Sequence, residues 1–282
     1  MPELPEVETL RRSLSPVCQK TISKISFSKL APIETTTPAA IIRVLTGATI
    51  TQLDRWGKYL LIRTDRQNAL VVHLGMTGQL RLVKSPHPPF FKGGKKEIPH
   101  IHMEIIFQDG DLLRYRDTRR FGTISLAQTE DGLDNRFLQR LGPDCLKPDL
   151  NVKEYIERCR RHPGLDLKAV TLNQGIAAGL GNIYACEALY RAQLSPKRRV
   201  QRLKDAELAR LFVAMRETLQ LGIQHGGTTL RDYLDGLGNR GKMKDFLLVY
   251  DREGLPTLDG RGLVRRITQG NRSTWYCPDV QK

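Results

Sequence analysis

The 282-residue sequence has no apolar run long enough to cross a membrane, and no Cys-x-x-Cys pair. The first absence excludes a membrane-spanning helix. The five cysteines are odd in number and widely spaced, which disfavours a disulfide framework and leaves no zinc site visible in the sequence. They are Cys18, Cys145, Cys159, Cys186 and Cys277. The acidic, proline-rich start is unlike a signal peptide. We therefore expect a cytoplasmic protein with no membrane partner.

Acidic residues are also in short supply, since 30 Asp and Glu face 45 Lys and Arg, for a formal net charge of +15. An excess of this size in a folded chain favours a polyanionic partner, and nucleic acid is the commonest one. The length allows two cored domains or one large one.

The chain begins Met-Pro-Glu, and removal of Met1 would expose the secondary amine of Pro2. A free α-amine titrates near pH ~8, so a useful share is neutral and nucleophilic at physiological pH. Glu3 is a carboxylate next to that amine and could move protons. The apolar spacing over residues 5–14 predicts a helix. Taken alone, these residues favour an ordinary N-terminal helix with a proline start and an acidic first turn.

Up to about residue 130 the sequence alternates over short segments separated by turn residues. This pattern predicts eight strands and therefore a β-sandwich or barrel. The predicted strands are 20–28, 48–54, 58–63, 69–74, 79–83, 101–107, 111–116 and 121–126. Residues 84–99 are too rich in Pro, Gly and Lys for a core element and predict a mobile loop.

After residue 130 the apolar period changes to that of a helix. The predicted helices are 133–141, 151–161, 166–174, 183–192 and 204–224, the last stopped by two glycines. Strand-like segments return at 246–250, 263–268 and 272–276. The chain therefore belongs to the α+β class, with a boundary near 132–150.

Six segments of this sequence resemble bacterial formamidopyrimidine-DNA glycosylases in content and order. They are MPELPEVETLRR at the start, WGKYL at 56–60, HLGMTGQLR at 73–81, DTRRFG at 117–122, GLGNIYACEALY at 179–190 and GGTTLRDYL at 226–234. The resemblance runs over residues 1–282. It implies a monomeric, bifunctional DNA glycosylase and AP lyase that removes oxidised purines, chiefly 8-oxoguanine and formamidopyrimidines, from damaged double-stranded DNA. It also implies a bacterial cytoplasmic enzyme that works at the nucleoid.

The same resemblance implies the domain order. An N-terminal catalytic β-sandwich of eight strands is expected over 1–132, followed by a linker at 133–150. A helix-two-turn-helix DNA-binding domain with a lesion loop is expected over 151–245. A β-hairpin finger would complete the chain at 246–282.

Four residues match the family positions that carry the chemistry. The resemblance makes Pro2 the nucleophile that attacks C1′ of the damaged nucleotide and forms an imine, and Glu3 the general acid and base. Lys58 matches a lysine that assists base loss and β-elimination, and Arg272 a finger arginine that grips phosphates and assists δ-elimination. By itself Lys58 would be an ordinary strand-end lysine.

Further residues match positions that contact DNA. An extruded nucleotide leaves a gap that other groups must fill, and the resemblance assigns this to Met76, Phe121 and Arg119, with Arg119 reading the opposite cytosine. Core packing is the simpler alternative for Met76 and Phe121. The other matching positions are His100 and, near the lesion phosphates, Lys168 and Asn182.

Three neighbouring features complete the implied site. The GLGN turn at 179–182 would offer free N–H groups to a phosphate. Glu187 would buttress the site rather than react. Residues 228–245 correspond to a loop that closes over the extruded base.

The sequence departs from the family in its finger, where relatives usually carry four zinc-binding cysteines. Here the four ligand positions become Thr257, Gly260, Cys277 and Val280. One thiolate cannot hold a structural zinc, which takes four N or S donors. No histidine follows His225 to substitute. We predict no metal, no cofactor and a zincless hairpin held by apolar packing.

Two other functions remain open from the sequence. One keeps the chemistry but changes the substrate to oxidised pyrimidines, as in the endonuclease VIII branch. The PELPEV start disfavours this reading, because PEGPE is typical of that branch. The other is a non-catalytic damaged-DNA-binding protein, which a retained Met1 would favour.

Overall fold

The structure is a computed structural model that describes residues 1–86, 99–128, 135–230 and 233–282. Most of the predicted 84–99 loop and the start of the predicted 133–141 helix therefore lie outside the described residues. Within them the chain combines β-sheets with α-helices, which confirms the predicted α+β class. No helix of this described part has the length and apolar character needed to cross a membrane.

The chain divides into two compact units. The first, which we call the sandwich unit, comprises Met1–Pro2, Glu6–Gln139 and Gly226–Gly241. The second, the helical unit, comprises Glu3–Pro5, Arg140–His225 and Lys242–Lys282.

The sandwich unit contains the eight predicted strands in two antiparallel four-stranded sheets, ordered β1-β6-β7-β5 and β2-β3-β4-β8. Alternate side chains of both sheets form one apolar core, as the period-2 pattern requires. The strands are β1 (Ile22–Phe27), β2 (Ile50–Trp56), β3 (Tyr59–Thr64), β4 (Ala69–His73), β5 (Gly78–Val83), β6 (Ile101–Phe107), β7 (Leu112–Asp117) and β8 (Thr123–Ala127).

Two helices accompany these strands. The first, α1 (Leu4–Ser13), is the predicted N-terminal helix. The second, α2 (Pro38–Leu45), escaped the sequence analysis although Thr37 and Pro38 form a strong start signal. The Thr37 hydroxyl accepts a hydrogen bond from the Ala40 N–H at 3.2 Å.

The helical unit contains α3 (Val152–Arg160), α4 (Leu167–Leu172), α5 (Asn182–Arg191) and α6 (Asp205–Gln224). Each lies within one or two residues of a predicted helix. The helix predicted at 133–141 is wrong over its described part, which holds only a 3₁₀ turn at Leu138–Arg140. The Asn135 side chain accepts the Phe137 N–H at 3.0 Å, and such a local bond competes with helix formation.

The C-terminal finger is a two-stranded hairpin of β9 (Arg265–Gln269) and β10 (Arg272–Tyr276). Gly270 and Asn271 join the strands, both with positive φ, which is the conformation of tight hairpin turns. The strand predicted at 246–250 is wrong. A 3₁₀ turn occupies Met243–Phe246, and the next backbone N–H groups bind a side chain instead of a neighbouring strand.

Candidate active site

Lys58 lies in the tight turn between β2 and β3, where Gly57 adopts a φ of +56°. Its side chain is buried, with only 7% of the residue exposed. Pro2, in the same sandwich unit, is also buried, whereas Met1 is exposed. Lys58 is therefore not the ordinary exposed lysine at a strand end that the sequence alone would suggest.

His73 stands next to Lys58 and was not singled out from the sequence. Burial, and then the positive charge of Lys58, lower the pKa of His73 to about 4. Its Nδ1 atom accepts the Gly75 N–H at 3.2 Å, so the neutral ring carries its proton on Nε2. The ring centroid is 4.7 Å from that of Tyr59. The signal available in the sequence was its place as the first residue of HLGMTGQLR.

The turn that carries Met76 packs directly against the turn that carries Phe121. Gly75 has a φ of +60°, and a side chain there would overlap the Phe121 and Gly122 backbone. Met76 and Phe121 are 42% and 55% exposed. Core packing is therefore excluded for both, and the structure brings these two residues together at one end of the sandwich unit.

The buried carboxylate of Asp117 joins these two turns. One of its oxygens accepts the Thr77 hydroxyl at 2.6 Å, and the other accepts the Gly122 N–H at 2.9 Å. The Arg119 N–H in turn donates to Thr77 Oγ1. Asp117 is fully buried and was not identified from the sequence as a positioning residue.

The exposed Arg119 guanidinium lies over the Phe121 ring, with Cζ 4.6 Å from the ring centroid. We call Met76, Arg119 and Phe121 the wedge cluster. His100 lies at the same end of the sheet, because its carbonyl accepts the Asp117 N–H at 3.0 Å. The His100 side chain belongs to an exposed residue with a φ of +66°.

The described residues of the predicted lesion loop are bonded to helix α1. The Glu6 carboxylate accepts the Thr228 N–H at 2.6 Å, and the Tyr233 hydroxyl donates to the Glu6 carbonyl. The Gly236 N–H binds the Ser13 hydroxyl at 2.8 Å. Residues 231–232 of this loop lie outside the described residues.

In the helical unit, Glu3 is fixed at the beginning of α5. Its carboxylate accepts the N–H groups of Gly181, Ile183 and Tyr184 at 2.6, 2.9 and 3.3 Å. These donors are helix-terminal N–H groups with no partner inside the helix, and the positive end of the helix dipole attracts the carboxylate. The expectation that the GLGN turn offers free N–H groups is therefore wrong for Gly181, and also for Gly179, whose N–H binds Gln174 Oε1 at 3.0 Å.

Lys168 is almost fully buried, at 1% exposure, and does not present its ammonium on the surface. Its Nζ atom donates to Cys186 Sγ at 2.8 Å and approaches the Asn182 carbonyl at 3.5 Å. Asn182 also reaches the finger, since its Nδ2 atom donates to the Ser273 carbonyl at 2.9 Å. The structure thus brings Lys168 and Asn182 together, but with Lys168 beneath Asn182 rather than at an open phosphate site.

Glu187 anchors the segment that leads into the finger. Its fully buried carboxylate accepts the N–H groups of Leu248, Val249 and Tyr250 at 2.8, 3.0 and 2.9 Å. Burial raises the pKa of Glu187, while these three donors act in the opposite direction. Arg272 begins β10 and is exposed.

The four positions that hold zinc in relatives do not fit a metal here. The Thr257 hydroxyl accepts the Arg261 N–H at 2.9 Å, and Gly260 offers no side chain. Cys277 and Val280 instead join an apolar cluster with Cys186, Tyr190, Val249 and Val264. Within the described ranges, no group of three or more His, Cys, Asp or Glu side chains is arranged to hold a metal ion.

Comparison with known proteins gives a consistent result over both units. A model of the formamidopyrimidine-DNA glycosylase N-terminal domain matches residues 1–124, and one of the H2TH domain of the same family matches residues 141–233. A protein of Heliobacterium modesticaldum named formamidopyrimidine-DNA glycosylase is 40% identical over the whole of both chains. A Moorella thermoacetica protein of the same name is 40% identical over 91% of this chain and 90% of its own.

Solved structures agree. A Lactococcus lactis FPG mutant in complex with a Fapy-dG containing DNA has a TM-score of 0.87 and 33% identity, with both chains covered completely. The MutM (FPG) protein of Thermus thermophilus has a TM-score of 0.85 and 36% identity, covering 99% of this chain and 98% of that one. This chain belongs to the formamidopyrimidine-DNA glycosylase family.

Proposed function

We propose that this chain is a DNA glycosylase and AP lyase of base excision repair, which acts as a monomer and excises 8-oxoguanine and formamidopyrimidines from duplex DNA. The full-length family match and the DNA complexes of related proteins support the substrate class. The observation that carries the proposal is the Glu3 carboxylate, which backbone N–H groups hold in place and which belongs to the residue directly after Pro2. Because its substrate is genomic DNA, the enzyme works at the nucleoid in the bacterial cytoplasm.

In the proposed reaction, removal of Met1 frees the Pro2 nitrogen, which attacks C1′ of the damaged nucleotide. The bond to the base breaks, and its electron pair leaves with the base, which takes up a proton. The Glu3 carboxylate takes the proton that the Pro2 nitrogen loses after its attack and delivers it to the ring oxygen of the sugar as the ring opens. The product is a cationic iminium that joins Pro2 to the opened sugar, and it accepts electrons in the next steps.

Elimination follows from this iminium. Loss of a proton from C2′ expels the 3′ phosphate, and a second elimination expels the 5′ phosphate. Water then hydrolyses the imine and restores the Pro2 amine. Lys58 stabilises the departing negative charge, and the neutral His73 beside it supplies an Nε2 hydrogen-bond donor. Arg272 holds the flanking phosphates through its guanidinium fork.

The wedge cluster fills the gap that the extruded nucleotide leaves. Met76 and Phe121 insert their exposed apolar side chains, which offsets the cost of a few kcal/mol for unstacking the nucleotide. Arg119 presents paired donors to the orphaned cytosine. Lys168 and Asn182 act together, with Lys168 positioning the Asn182 carbonyl while Asn182 contacts the backbone.

Borohydride trapping tests the nucleophile. During turnover of an 8-oxoguanine duplex, borohydride should reduce the imine and leave a covalent adduct on the N-terminal peptide beginning at Pro2. The variant Lys58→Ala should still be trapped there on an abasic duplex. An adduct on Lys58, or a fully active enzyme whose Pro2 nitrogen is still blocked by Met1, would contradict the mechanism. Faster excision of thymine glycol than of 8-oxoguanine would move the substrate class to oxidised pyrimidines.

A further inference from the structure

A cavity of about 310 Å³ opens on the outer face of the β1-β6-β7-β5 sheet, within the sandwich unit. None of its lining residues takes part in the proposed reaction. Because side chains alternate along each strand, Leu80, Leu82 and Tyr115 point into the core, and the residues that line the pocket point to the opposite face. We call it the outer-face pocket, and it is lined by Gln79, Arg81, Val83, Arg114 and Arg116.

The strand register concentrates positive charge in this pocket. Arg81 of β5 lies directly opposite Arg114 of β7, and Gln79 lies opposite Arg116. Like charges in directly opposed positions destabilise a sheet unless an opposite charge lies between them. Glu104 of β6 supplies one carboxylate, which accepts from Arg114 Nε at 2.7 Å. Among the residues that the structure describes, three guanidinium groups and one carboxylate give this pocket an excess of two positive charges.

The pocket also contains a hydrogen-bond donor that has no acceptor within the described residues. The Arg114 Nη2 atom is buried and has no hydrogen-bond partner within the described part of the chain. A buried donor without a partner lowers the stability of the folded protein, and a ligand that supplies an acceptor would remove this cost. Arg116 donates from its Nε atom to the Pro99 carbonyl at 3.2 Å, and its side chain lines the pocket.

The rim of the pocket is held in place by the loop that ends the sandwich unit. The Leu82 N–H donates to the Gly236 carbonyl at 2.9 Å, so this loop lies along the edge of β5. A side chain at Gly238, whose φ is +95°, would overlap the Arg81 guanidinium. The guanidinium of Arg81, an exposed residue, therefore lies close to the Gly238 backbone at the rim of the pocket.

We propose that the outer-face pocket binds a phosphate monoester. Guanidinium groups match phosphate oxygens in pairs, and a monoester carries a charge of about −1.5 to −2 near neutral pH, close to the excess of the pocket. The monoester can come from the terminal phosphate of a cleaved DNA strand or from a free mononucleotide. The first source rests on the proposed lyase reaction, whereas the binding itself does not.

Calorimetric titration with inorganic phosphate tests the site on the full-length protein. The double variant Arg81→Gln/Arg116→Gln should bind at least about tenfold more weakly than the parent protein, because it loses two charge-assisted contacts. Arg43→Gln removes an exposed arginine of α2 elsewhere in the same unit and should match the parent protein. Equal affinity in all three proteins would overturn the proposal.

A second measurement needs no variant. Phosphate should shift the arginine Nε–H resonances of Arg81 and Arg116 in nuclear magnetic resonance spectra of the parent protein, at the concentrations that saturate the calorimetric signal. Shifts confined to other arginines would place the anion elsewhere and refute the site. Melting temperatures of the variants establish that a lost signal is not a lost fold.

Displacement of bound phosphate identifies the source of the monoester. If only a duplex with a 5′-terminal phosphate displaces it, and not the same duplex with a 5′-hydroxyl, the ligand is a strand end. Displacement by a mononucleotide but by neither duplex indicates a free nucleotide. Equal displacement by both duplexes indicates a backbone diester and would overturn the monoester assignment. None of these binding measurements requires turnover. A negative result would therefore refute the phosphate site without bearing on the proposed glycosylase mechanism.

Discussion

At the scale of single residues, two buried carboxylates of the helical unit are oriented by backbone N–H donors. Glu3 receives three of them from the beginning of α5, and Glu187 receives three from residues 248–250. Backbone donors are rigid, so they orient a carboxylate more sharply than a flexible side chain would. The position of Glu3 therefore depends on residues that contribute only their backbone N–H groups.

Gly181 is the clearest of these residues, because a Cβ atom there would overlap the Glu3 carboxylate. We expect Gly181→Ala to displace Glu3 and to lower kcat/KM for 8-oxoguanine excision roughly 100-fold, since small misplacements of reacting groups have effects of this size. Gly164→Ala is the matched control, because a Cβ atom meets nothing within 4 Å there. Equal kinetics for the two variants would contradict the role given to Glu3.

Arg119 should determine the preference for the base opposite the lesion. Its guanidinium is exposed beside Phe121 and free to offer two donors to cytosine. Arg119→Ala should lose about 1–3 kcal/mol of discrimination between cytosine and the other opposite bases. Excision rates measured with all four opposite bases check this. A parent enzyme that already processes the four pairs equally would rule the role out.

At the scale of elements, the finger has contacts that could stabilise a small hairpin in place of a metal. Its strands share an apolar cluster with α5, and polar bonds surround that cluster. Burial raises the pKa of Tyr190 to about 12, so its hydroxyl stays protonated and donates to both Asp259 oxygens, at 2.7 and 2.9 Å. The Cys277 N–H binds the Gln281 side chain at 2.7 Å.

Metal analysis addresses this element first. The purified protein should contain less than one zinc per chain, and treatment with EDTA should leave the melting temperature unchanged. The reason is that the four family positions supply a single thiolate, which cannot complete a four-coordinate site. Stoichiometric zinc, or a melting temperature that falls with EDTA, would refute the zincless finger.

The Tyr190 contact should account for part of the stability that zinc supplies elsewhere. Tyr190→Phe removes a hydrogen bond to a charged acceptor and should lower the free energy of unfolding by about 1.5–3 kcal/mol. Tyr276→Phe is a control in the same finger, since its hydroxyl makes no hydrogen bond within the residues that the structure describes. Urea unfolding and hydrogen exchange of the finger amides measure both. The same stability in the two variants would disprove the contribution.

At the scale of the whole molecule, the stability of the protein should depend on pH through His73. The pKa of this residue is about 4 in the folded protein and near 6.5 in an unfolded chain. The unfolded chain therefore takes up the proton first as the pH falls. The contribution of neutral His73 to the free energy of unfolding is fully present above pH ~6.5 and is lost as the pH falls from ~6.5 to ~4. Below pH ~4 this residue causes no further loss.

The variant His73→Asn isolates this contribution, because asparagine keeps an acceptor for the Gly75 N–H but does not titrate. Between pH 7.5 and pH 4.5, the parent protein should lose about 2–3 kcal/mol more free energy of unfolding than the variant does. Urea unfolding at the two pH values measures the difference. Parallel losses in both proteins would show that His73 is not held neutral by the fold.

The molecule as a whole also shows where sequence patterns succeed. Each predicted strand of the sandwich unit is present, because alternation with period 2 directly reflects one face in the core and one face outside. The long helix at 204–224 was equally readable from its apolar face. The short helix α2 and the segment at 246–250 were not, since few residues leave little periodic signal.

The candidate site divides in the same way. Pro2, Glu3, Lys58 and the wedge cluster were proposed from the sequence, because the motifs that contain them resemble those of the family. Asp117 and His73 emerged only from the structure, since their importance lies in neighbours that are remote in the chain.

The amino-acid sequence by itself determined the strands, the main helices, the charge excess and the chemical groups of the site. Only the tertiary structure decided which partner each polar group takes. The Gly181 N–H binds a carboxylate 178 residues away, and residues 248–250 give their N–H groups to Glu187 rather than to a strand. The physical reason is that periodicity is a local property, whereas the partner of a hydrogen bond is selected by long-range packing.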